Sequence, residues 1–312
     1  MEKQEAFMRK TWVVWLGVLI CCALWGSAFP CIKIGYRLFQ IQADATGTQI
    51  LFAGCRFTLA GILTILIGSA LSKKLLLPKK GSGLKILKLS MLQTVGQYVF
   101  FYIGLAHISG VKASIIGSMN VFFAILIASL LFHQEQLTMK KLIGSLFGFA
   151  GVVMVNMNSG QLDMAFHFAG DGSIILSTVA YAFSSVFLKR YSKEENPVVL
   201  SGYQFILGGI IMIVAGLLMG GKLTVVSGRG IGMLIYLAFV SAIAYSLWGI
   251  LLKYNPVSKV TIFGFMNPVF GVILSAIFLQ EADKVGPVCL IALAFVCVGI
   301  FVVNYQKEGK NS

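Results

Sequence analysis

The sequence is poor in charged residues, and poorest in acidic ones. Only 12% of its 312 residues are charged and 58% are apolar, whereas a soluble domain has roughly 25% charged residues. The 11 acidic residues and three histidines all lie in tails, loops or predicted helix ends. An enzyme working inside a membrane needs a buried acid–base, nucleophilic or metal-binding group. That function is therefore the weakest hypothesis, and a permanently cationic drug would find no counter-ion in the spans.

Several familiar motifs are also missing. The six cysteines fall inside apolar runs without a Cys-x-x-Cys spacing, so they predict neither a disulfide framework nor a metal site. Phosphate-binding loops and nucleophile elbows do not occur in a credible context, and we expect no cofactor. The net charge of +14 would suggest nucleic acid in a soluble protein. Here the basic residues form short clusters between apolar runs, which is typical of an integral membrane protein and predicts a lipid bilayer as partner.

Ten apolar runs are long enough to be considered as membrane-crossing helices, which need about 20 residues. The first run is too long for a signal peptide and is followed by a poor cleavage site, so we expect a retained helix. The predicted spans are 12–36, 46–71, 85–107, 111–132, 139–156, 171–190, 197–220, 230–252, 257–279 and 285–305.

The distribution of basic residues predicts the orientation. With both termini in the cytoplasm, eighteen lysines and arginines lie inside and six outside, as the positive-inside rule favours. We therefore expect a multi-pass protein of the cell membrane, with the segment 157–170 on the outer side.

A long internal repeat is the most informative feature. Residues 111–122 align with 258–269, and each half contains five predicted helices. Because five is odd, the second half would enter the membrane from the opposite side, giving an inverted repeat of the kind that builds transporters. The predicted units are 1–156 and 171–312. The alignment pairs Thr94 with Ser241, Tyr98 with Tyr245, Phe101 with Trp248, Gly117 with Gly264, and Asn120 with Asn267.

Short motifs in this order resemble the EamA-type branch of the drug/metabolite transporter superfamily. The resemblance implies ten helices and a cavity lined by the first, third, fourth, sixth, eighth and ninth of them, often for export of amino acids, metabolites or toxic compounds. One departure is Val121, where the family usually has proline, so we expect a straighter fourth helix. The matching pieces are Leu24-Trp25-Gly26-Ser27-Ala28-Phe29, Cys55-Arg56-Phe57, Ala244-Tyr245-Ser246-Leu247-Trp248, and Asn267-Pro268-Val269-Phe270 running on to Gln280-Glu281.

Polar side chains inside spans are the candidates for substrate binding, because they are costly there. Asn120 and Asn267 lead, since they occupy equivalent positions and an amide offers donors and acceptors without charge. Gln93 and Gln97 lie one helical turn apart and are expected to share a face. The alternative for such residues is interhelical hydrogen bonding or packing. The full set of predicted substrate-binding residues is Trp25, Ser27, Gln93, Gln97, Tyr98, Asn120, Tyr181, Ser184, Tyr245, Trp248 and Asn267.

Two prolines and one arginine complete the candidates. Pro30 and Pro268 are predicted hinges, because proline frees the carbonyl four residues earlier; the alternative is a simple kink. Arg56 is the only charge well inside a span. It could bind a substrate carboxylate or be structural, and the resemblance favours the structural reading because the family commonly carries arginine there. Glu135 and Glu281 are expected to cap or tether helix ends.

These features predict a secondary transporter for small neutral or zwitterionic metabolites such as amino acids, working as an exporter by alternating access. We expect one chain to suffice. The alternatives are efflux of multiple drugs or toxic compounds and, far less favoured, an intramembrane enzyme. A passive channel would differ by giving conductance without saturation.

Overall fold

The computed structural model describes residues 2–42, 44–105, 107–108, 110–157, 166–224, 227–279 and 287–304. Within these ranges all regular structure is helical, which agrees with the predicted class. The α-helices are α1 Glu2–Arg9, α2 Thr11–Leu38, α3 Thr46–Ser72, α4 Gly83–Leu89, α5 Gln97–Leu105, α6 Gly110–Ser118, α7 Asn120–Leu126, α8 Met139–Met157, α9 Ser173–Tyr191, α10 Pro197–Leu218, α11 Gly228–Tyr254, α12 Val257–Thr261, α13 Met266–Leu279 and α14 Pro287–Asn304.

Short stretches of other helix types interrupt the α-helices. π-Helical turns occupy Ser90–Gly96, Ile127–Leu131 and Phe168–Gly172, and a 3₁₀ turn spans Ile262–Phe265. Several predicted spans are therefore composite, since residues 83–105 join α4, a π turn and α5. Most of the predicted connecting segment 157–170 falls outside the described residues, and its last three residues already belong to the third π turn.

Among the described residues, five helical segments are long and apolar enough to cross a membrane. They are α2, α3, α10, α11, and α9 together with the π turn before it. Two shorter apolar segments, Ile115–Leu131 and Leu290–Asn304, coincide with further predicted spans. Large apolar side chains such as Leu71 and Leu218 are exposed, as expected for surfaces that face lipid. The total of ten spans stays a prediction.

Contacts between the two halves of the chain follow a regular scheme. α3 packs along α10, and α8 packs along α14. α2 lies against α11 and α13, while α9 lies against α5 and α7. The first long helix of each half therefore contacts helices of the other half.

Glycines allow α3 and α10 to approach closely. A Cβ atom on Gly61 would lie 2.5 Å from the carbonyl oxygen of Gly202, and one on Gly54 would lie 2.9 Å from that of Gly209. α8 and α14 meet in the same way, because a Cβ on Gly144 would lie 2.7 Å from the carbonyl oxygen of Gly299. Such small-residue faces favour van der Waals association of helices in lipid.

A buried carboxylate ties two loops together at one end of the bundle. Glu195, in the turn before α10, accepts hydrogen bonds from the backbone N–H of Lys79, the hydroxyl of Ser82 and the backbone N–H of Asn196, each at 2.8 Å. Burial opposes ionisation of this group, but the hydrogen bonds outweigh it, and the pKa of Glu195 lies below its ordinary value. The charged form of Glu195 therefore stabilises the fold.

We expect Glu195→Gln to lower the free energy of unfolding by about 1.5–3 kcal/mol near neutral pH, the range for hydrogen bonds to a charged group. Because the pKa is depressed in the folded protein, this stabilisation is present above the ordinary carboxyl pKa and disappears as the pH falls through the folded value. Thermal unfolding of both proteins in detergent at several pH values measures the difference, which should shrink in acid. Glu194→Gln is the control, since exposed Glu194 pairs with Lys85 in solvent and should matter little. A difference that persists unchanged in acid contradicts the prediction.

Candidate functional site

A small cavity lies where helices of both halves meet. α7 contributes from the first half, whereas α9, α11 and the α12–α13 segment contribute from the second. Its volume of about 10 Å³ is enough for roughly one water molecule, so this arrangement is closed. Its lining consists of Asn120, Ala124, Tyr181, Ala182, Ser185, Trp248, Thr261, Gly264 and Asn267.

An aromatic cluster adjoins this cavity, defined by Trp25, Tyr98, Tyr245 and Trp248. The Trp25 ring lies 5.0 Å from the rings of both Tyr245 and Trp248, in edge-to-face geometry. The hydroxyls of Tyr98 and Tyr245 are 3.4 Å apart. Tyr98 comes from α5 and Tyr245 from α11, so the cluster joins the two halves. These contacts unite four of the predicted binding residues, and Trp248 connects them to the cavity.

Several buried polar atoms at the candidate residues have no hydrogen-bond partner among the described residues. Two are donors, the indole Nε1 atoms of Trp25 and Trp248, and two are acceptors, Oε1 of Gln97 and Oδ1 of Asn267. Buried polar atoms are nearly always paired in folded proteins, by protein groups or by water. Trp248 and Asn267 line the cavity and Trp25 packs on Trp248, so a polar solute there could satisfy both a donor and an acceptor. Gln97 is neither a lining residue nor part of the aromatic cluster.

Three predicted binding residues face elsewhere. The amide oxygen of Gln93 accepts a hydrogen bond from the Gln204 side chain at 3.0 Å. The hydroxyl of Ser27 lies 2.7 Å from the Leu24 carbonyl and 2.9 Å from the Tyr236 hydroxyl. That of Ser184 donates to the carbonyl of Tyr181. None of the three lines the cavity.

Gln93 and Gln97 make different contacts. Gln93 lies within the π turn Ser90–Gly96, and Gln97 begins the next α-helix. The Gln93 side chain contacts Gln204 on α10, while the backbone carbonyl of Gln97 accepts a hydrogen bond from Ser177 on α9. That the two glutamine side chains share a face stays a prediction.

Five lining residues were absent from the predicted set: Ala124, Ala182, Ser185, Thr261 and Gly264. Thr261, Gly264 and Asn267 follow one another at intervals of three. A 3₁₀ turn has three residues per turn and brings such positions onto one face, and the turn Ile262–Phe265 does this here. The signal available in the sequence was the repeat, which already pairs Gly264 with Gly117.

The predicted hinges sit in different surroundings. α2 continues through Pro30, whereas Pro268 is the third residue of α13, directly after the 3₁₀ turn. The fourth predicted span contains a break between α6 and α7 at Met119, although Val121 replaces the usual proline. There the N–H of Met119 donates to the carbonyl of Ile116. A local turn therefore interrupts the α-helix there without proline, while Met119 keeps helical dihedral angles, and the straighter fourth helix stays a prediction.

Glu135 tethers a helix start, as expected. Its carboxylate accepts from the backbone N–H of Ser258 at 3.1 Å and from the Ser258 hydroxyl at 2.8 Å, and the ammonium of Lys141 lies 3.5 Å away. This contact links the segment after α7 to the start of α12. It borders a cavity of about 160 Å³ lined also by Lys259 and Asn304. Glu281 lies outside the described residues.

Comparison with known proteins agrees with this architecture. The model of the EamA-like transporter family matches residues 11–157 and 168–305. An uncharacterized transporter of Archaeoglobus fulgidus is 27% identical over 94% of this chain and 99% of its own length. Protein PecM of Dickeya dadantii is 24% identical, covering 90% of this chain and 93% of its own. The uncharacterized inner membrane transporter YedA of Escherichia coli is 26% identical, covering 92% and 90%.

The fold also has a counterpart among solved structures. One crystal structure superposes with a TM-score of 0.73 at 18% identity, covering 93% of this chain and 95% of the other. The family match spans both halves of the sequence and includes the helices that form the cavity. The chain therefore belongs to the EamA-like transporter family and is a multi-pass membrane transporter.

Proposed function

We propose that this protein is a secondary exporter of small neutral or zwitterionic metabolites, amino acids in particular, and that it works by alternating access. The observation that carries the proposal is the set of buried polar atoms at Trp25, Trp248 and Asn267 that have no partner among the described residues. Indole N–H groups suit a carboxylate or carbonyl, while amide oxygens suit an ammonium or hydroxyl. A zwitterion presents both kinds of group.

The predicted inverted repeat accounts for the alternation. Its support is the helix pairing, in which α2 meets α11 and α13 just as α9 meets α5 and α7. In this proposal, ten helices cross the membrane with both termini in the cytoplasm. The two halves rock around Asn120 and Asn267, with Pro30 and Pro268 as hinges, and one chain encloses the whole pathway.

A closed state fits this cycle. The central cavity holds about one water, so a solute the size of an amino acid requires the helices to separate. The Glu135–Ser258 contact joins the two halves at the end of the bundle that we assign to the cytoplasm. We therefore interpret the structure as an occluded arrangement, between the two open ones.

Reconstituted protein in liposomes tests the proposal. Radiolabelled L-amino acids are offered singly with the same unlabelled amino acid trapped inside, and saturable counterflow is expected for at least one of them. Ethidium, a permanently cationic dye, should move at the rate of protein-free liposomes. Counterflow of ethidium without that of any amino acid favours drug efflux instead, and unsaturable flux favours a channel.

Asn267→Ala should reduce the rate of amino-acid counterflow about tenfold, because it removes a buried acceptor that would otherwise pair with the solute. The thermal midpoint should change little, since the amide oxygen has no protein partner among the described residues. Ser184→Ala is the matched control: it removes a buried hydroxyl of α9 that does not line the cavity. Equal rates for wild type and Asn267→Ala contradict the site assignment.

A further inference from the structure

A buried arginine close to the aromatic cluster has too few partners. Arg56 on α3 is 3% exposed, and its Nη2 atom donates to the hydroxyl of Ser241 at 2.9 Å. Its Nε atom is buried, with no acceptor in the part of the chain that the structure describes. Among the described residues, no acidic side chain forms an ion pair with it. A guanidinium carries five donor hydrogens. The Ser241 hydroxyl and the face of the Phe57 ring contact it, but neither carries the negative charge that would neutralise it.

The residue at the equivalent position in the second half has all the side-chain hydrogen-bond partners that a structural role requires. Glycines recur at the same spacing in α3 and α10, at 54, 61 and 68 and at 202, 209 and 216, and this register pairs Arg56 with Gln204. Gln204 is fully buried, and its side chain accepts from Thr94 at 2.7 Å and donates to Gln93 at 3.0 Å. A neutral amide at this place therefore has two side-chain partners.

The residues next to Arg56 differ from those next to Gln204. Thr94 corresponds to Ser241, which bonds Arg56, but Gln93 corresponds to Val240, which offers no polar group. Arg56 therefore has more donor hydrogens to pair than Gln204 has, and fewer polar side chains beside it. An unpaired charge in the membrane interior costs several kcal/mol, and a purely structural residue would do better as glutamine. This asymmetry argues that the Arg56 guanidinium takes a partner that arrives from outside the fold.

A single aromatic ring, that of Phe57, lies between Arg56 and the aromatic cluster. The Arg56 guanidinium carbon lies 5.0 Å from the centre of the Phe57 ring, and that ring lies 4.6 Å from the ring of Tyr98. Arg56 is ten residues after Thr46, which places it about 15 Å along α3 from the end that we assign to the outside. A solute moving outward would meet Arg56 after passing the aromatic cluster.

We infer that Arg56 is a carboxylate-binding subsite on the outer half of the transport pathway, engaged when the aromatic cluster opens. This inference rests on the proposed function and deepens it. The carboxylate of a zwitterionic solute would take the donors that no protein group uses, in the two-pronged geometry that guanidinium favours. Neutral metabolites that lack a carboxylate would gain nothing from Arg56.

The first test compares an amino acid with its own carboxamide, which keeps the ammonium group and loses the carboxylate. L-phenylalanine with L-phenylalaninamide and L-threonine with L-threoninamide are suitable pairs for counterflow. Wild type should prefer the acid by about tenfold to a hundredfold, the range for a hydrogen bond to a charged group. Arg56→Gln should abolish the preference and Arg56→Lys should retain part of it. A variant that slows acid and amide equally overturns the inference.

The second test needs no transport. The thermal midpoint of detergent-solubilised protein is measured in sodium acetate and in sodium chloride at equal ionic strength. Acetate should raise the midpoint of wild type by about 2 °C more than that of Arg56→Gln. In chloride, Arg56→Gln should be at least as stable as wild type, because an unpaired buried charge is removed.

Equal acetate shifts in the two proteins overturn the inference, and so does a large loss of stability in Arg56→Gln with its acid preference unchanged. If wild type moves none of the amino acids, the proposed function fails, while the acetate shift still decides the role of Arg56.

Discussion

Trp248→Ala is expected to lower the free energy of unfolding by about 3–5 kcal/mol, the usual cost of truncating a large buried aromatic side chain. Trp248 is 2% exposed, packs edge-to-face on Trp25 and forms part of the cavity wall. Its removal leaves a hole at the junction of α2, α11 and α13 that the surrounding helices cannot fill without shifting. Thermal or denaturant unfolding in detergent measures the loss. A loss below about 1 kcal/mol contradicts the packing described here.

Trp248→Phe separates packing from binding. Phenylalanine keeps an aromatic ring against Trp25 but lacks the Nε1 donor, which has no partner among the described residues. We therefore expect a smaller loss of stability than for alanine, together with weaker amino-acid counterflow. Unchanged counterflow for Trp248→Phe would mean that the indole N–H does not contact the solute.

Helix positions were predictable because lipid imposes simple rules. A membrane-crossing segment has to pair its backbone groups internally, so long apolar runs become helices. Thr46–Ser72 and Pro197–Leu218 begin at the predicted residue and end within two residues of the prediction. Departures from α-helical geometry were not predictable in this way, because the π turn at Ser90–Gly96 and the 3₁₀ turn at Ile262–Phe265 depend on packing between distant segments.

The candidate site was likewise predictable only in part. The repeat pointed to Asn120 and Asn267, and both line the cavity. Gln93 and Ser27 do not line it, because the Gln93 side chain bonds to α10 and the Ser27 hydroxyl turns toward Tyr236. The partner of Gln93 is Gln204, on a helix more than a hundred residues away. No local pattern predicts such a contact.

Gly209→Val is expected to destabilise the protein by about 3 kcal/mol, at the upper end of overpacking costs. A Cβ atom on Gly209 would lie 2.4 Å from the hydroxyl and 2.5 Å from the backbone nitrogen of Thr58. Because one of these atoms is backbone, α3 and α10 have to move apart. The contact between α3 and α10 also includes Phe57 and Phe205, whose stacked rings lie 5.2 Å apart beside the aromatic cluster.

The same substitution at Gly232 provides the comparison. Gly232 lies on α11, and a Cβ atom added there would have no atom of the described residues within 4 Å, so Gly232→Val adds bulk without a clash against them. Replacing a helical glycine is intrinsically favourable by a few tenths of a kcal/mol, and we expect an unchanged or slightly higher thermal midpoint. If the Gly209 and Gly232 variants unfold at the same temperature, close contact between α3 and α10 does not hold the halves together. α3 carries Arg56 and α10 carries Gln204. Moving these two helices apart should therefore also reduce amino-acid counterflow by the fraction of Gly209→Val that remains folded.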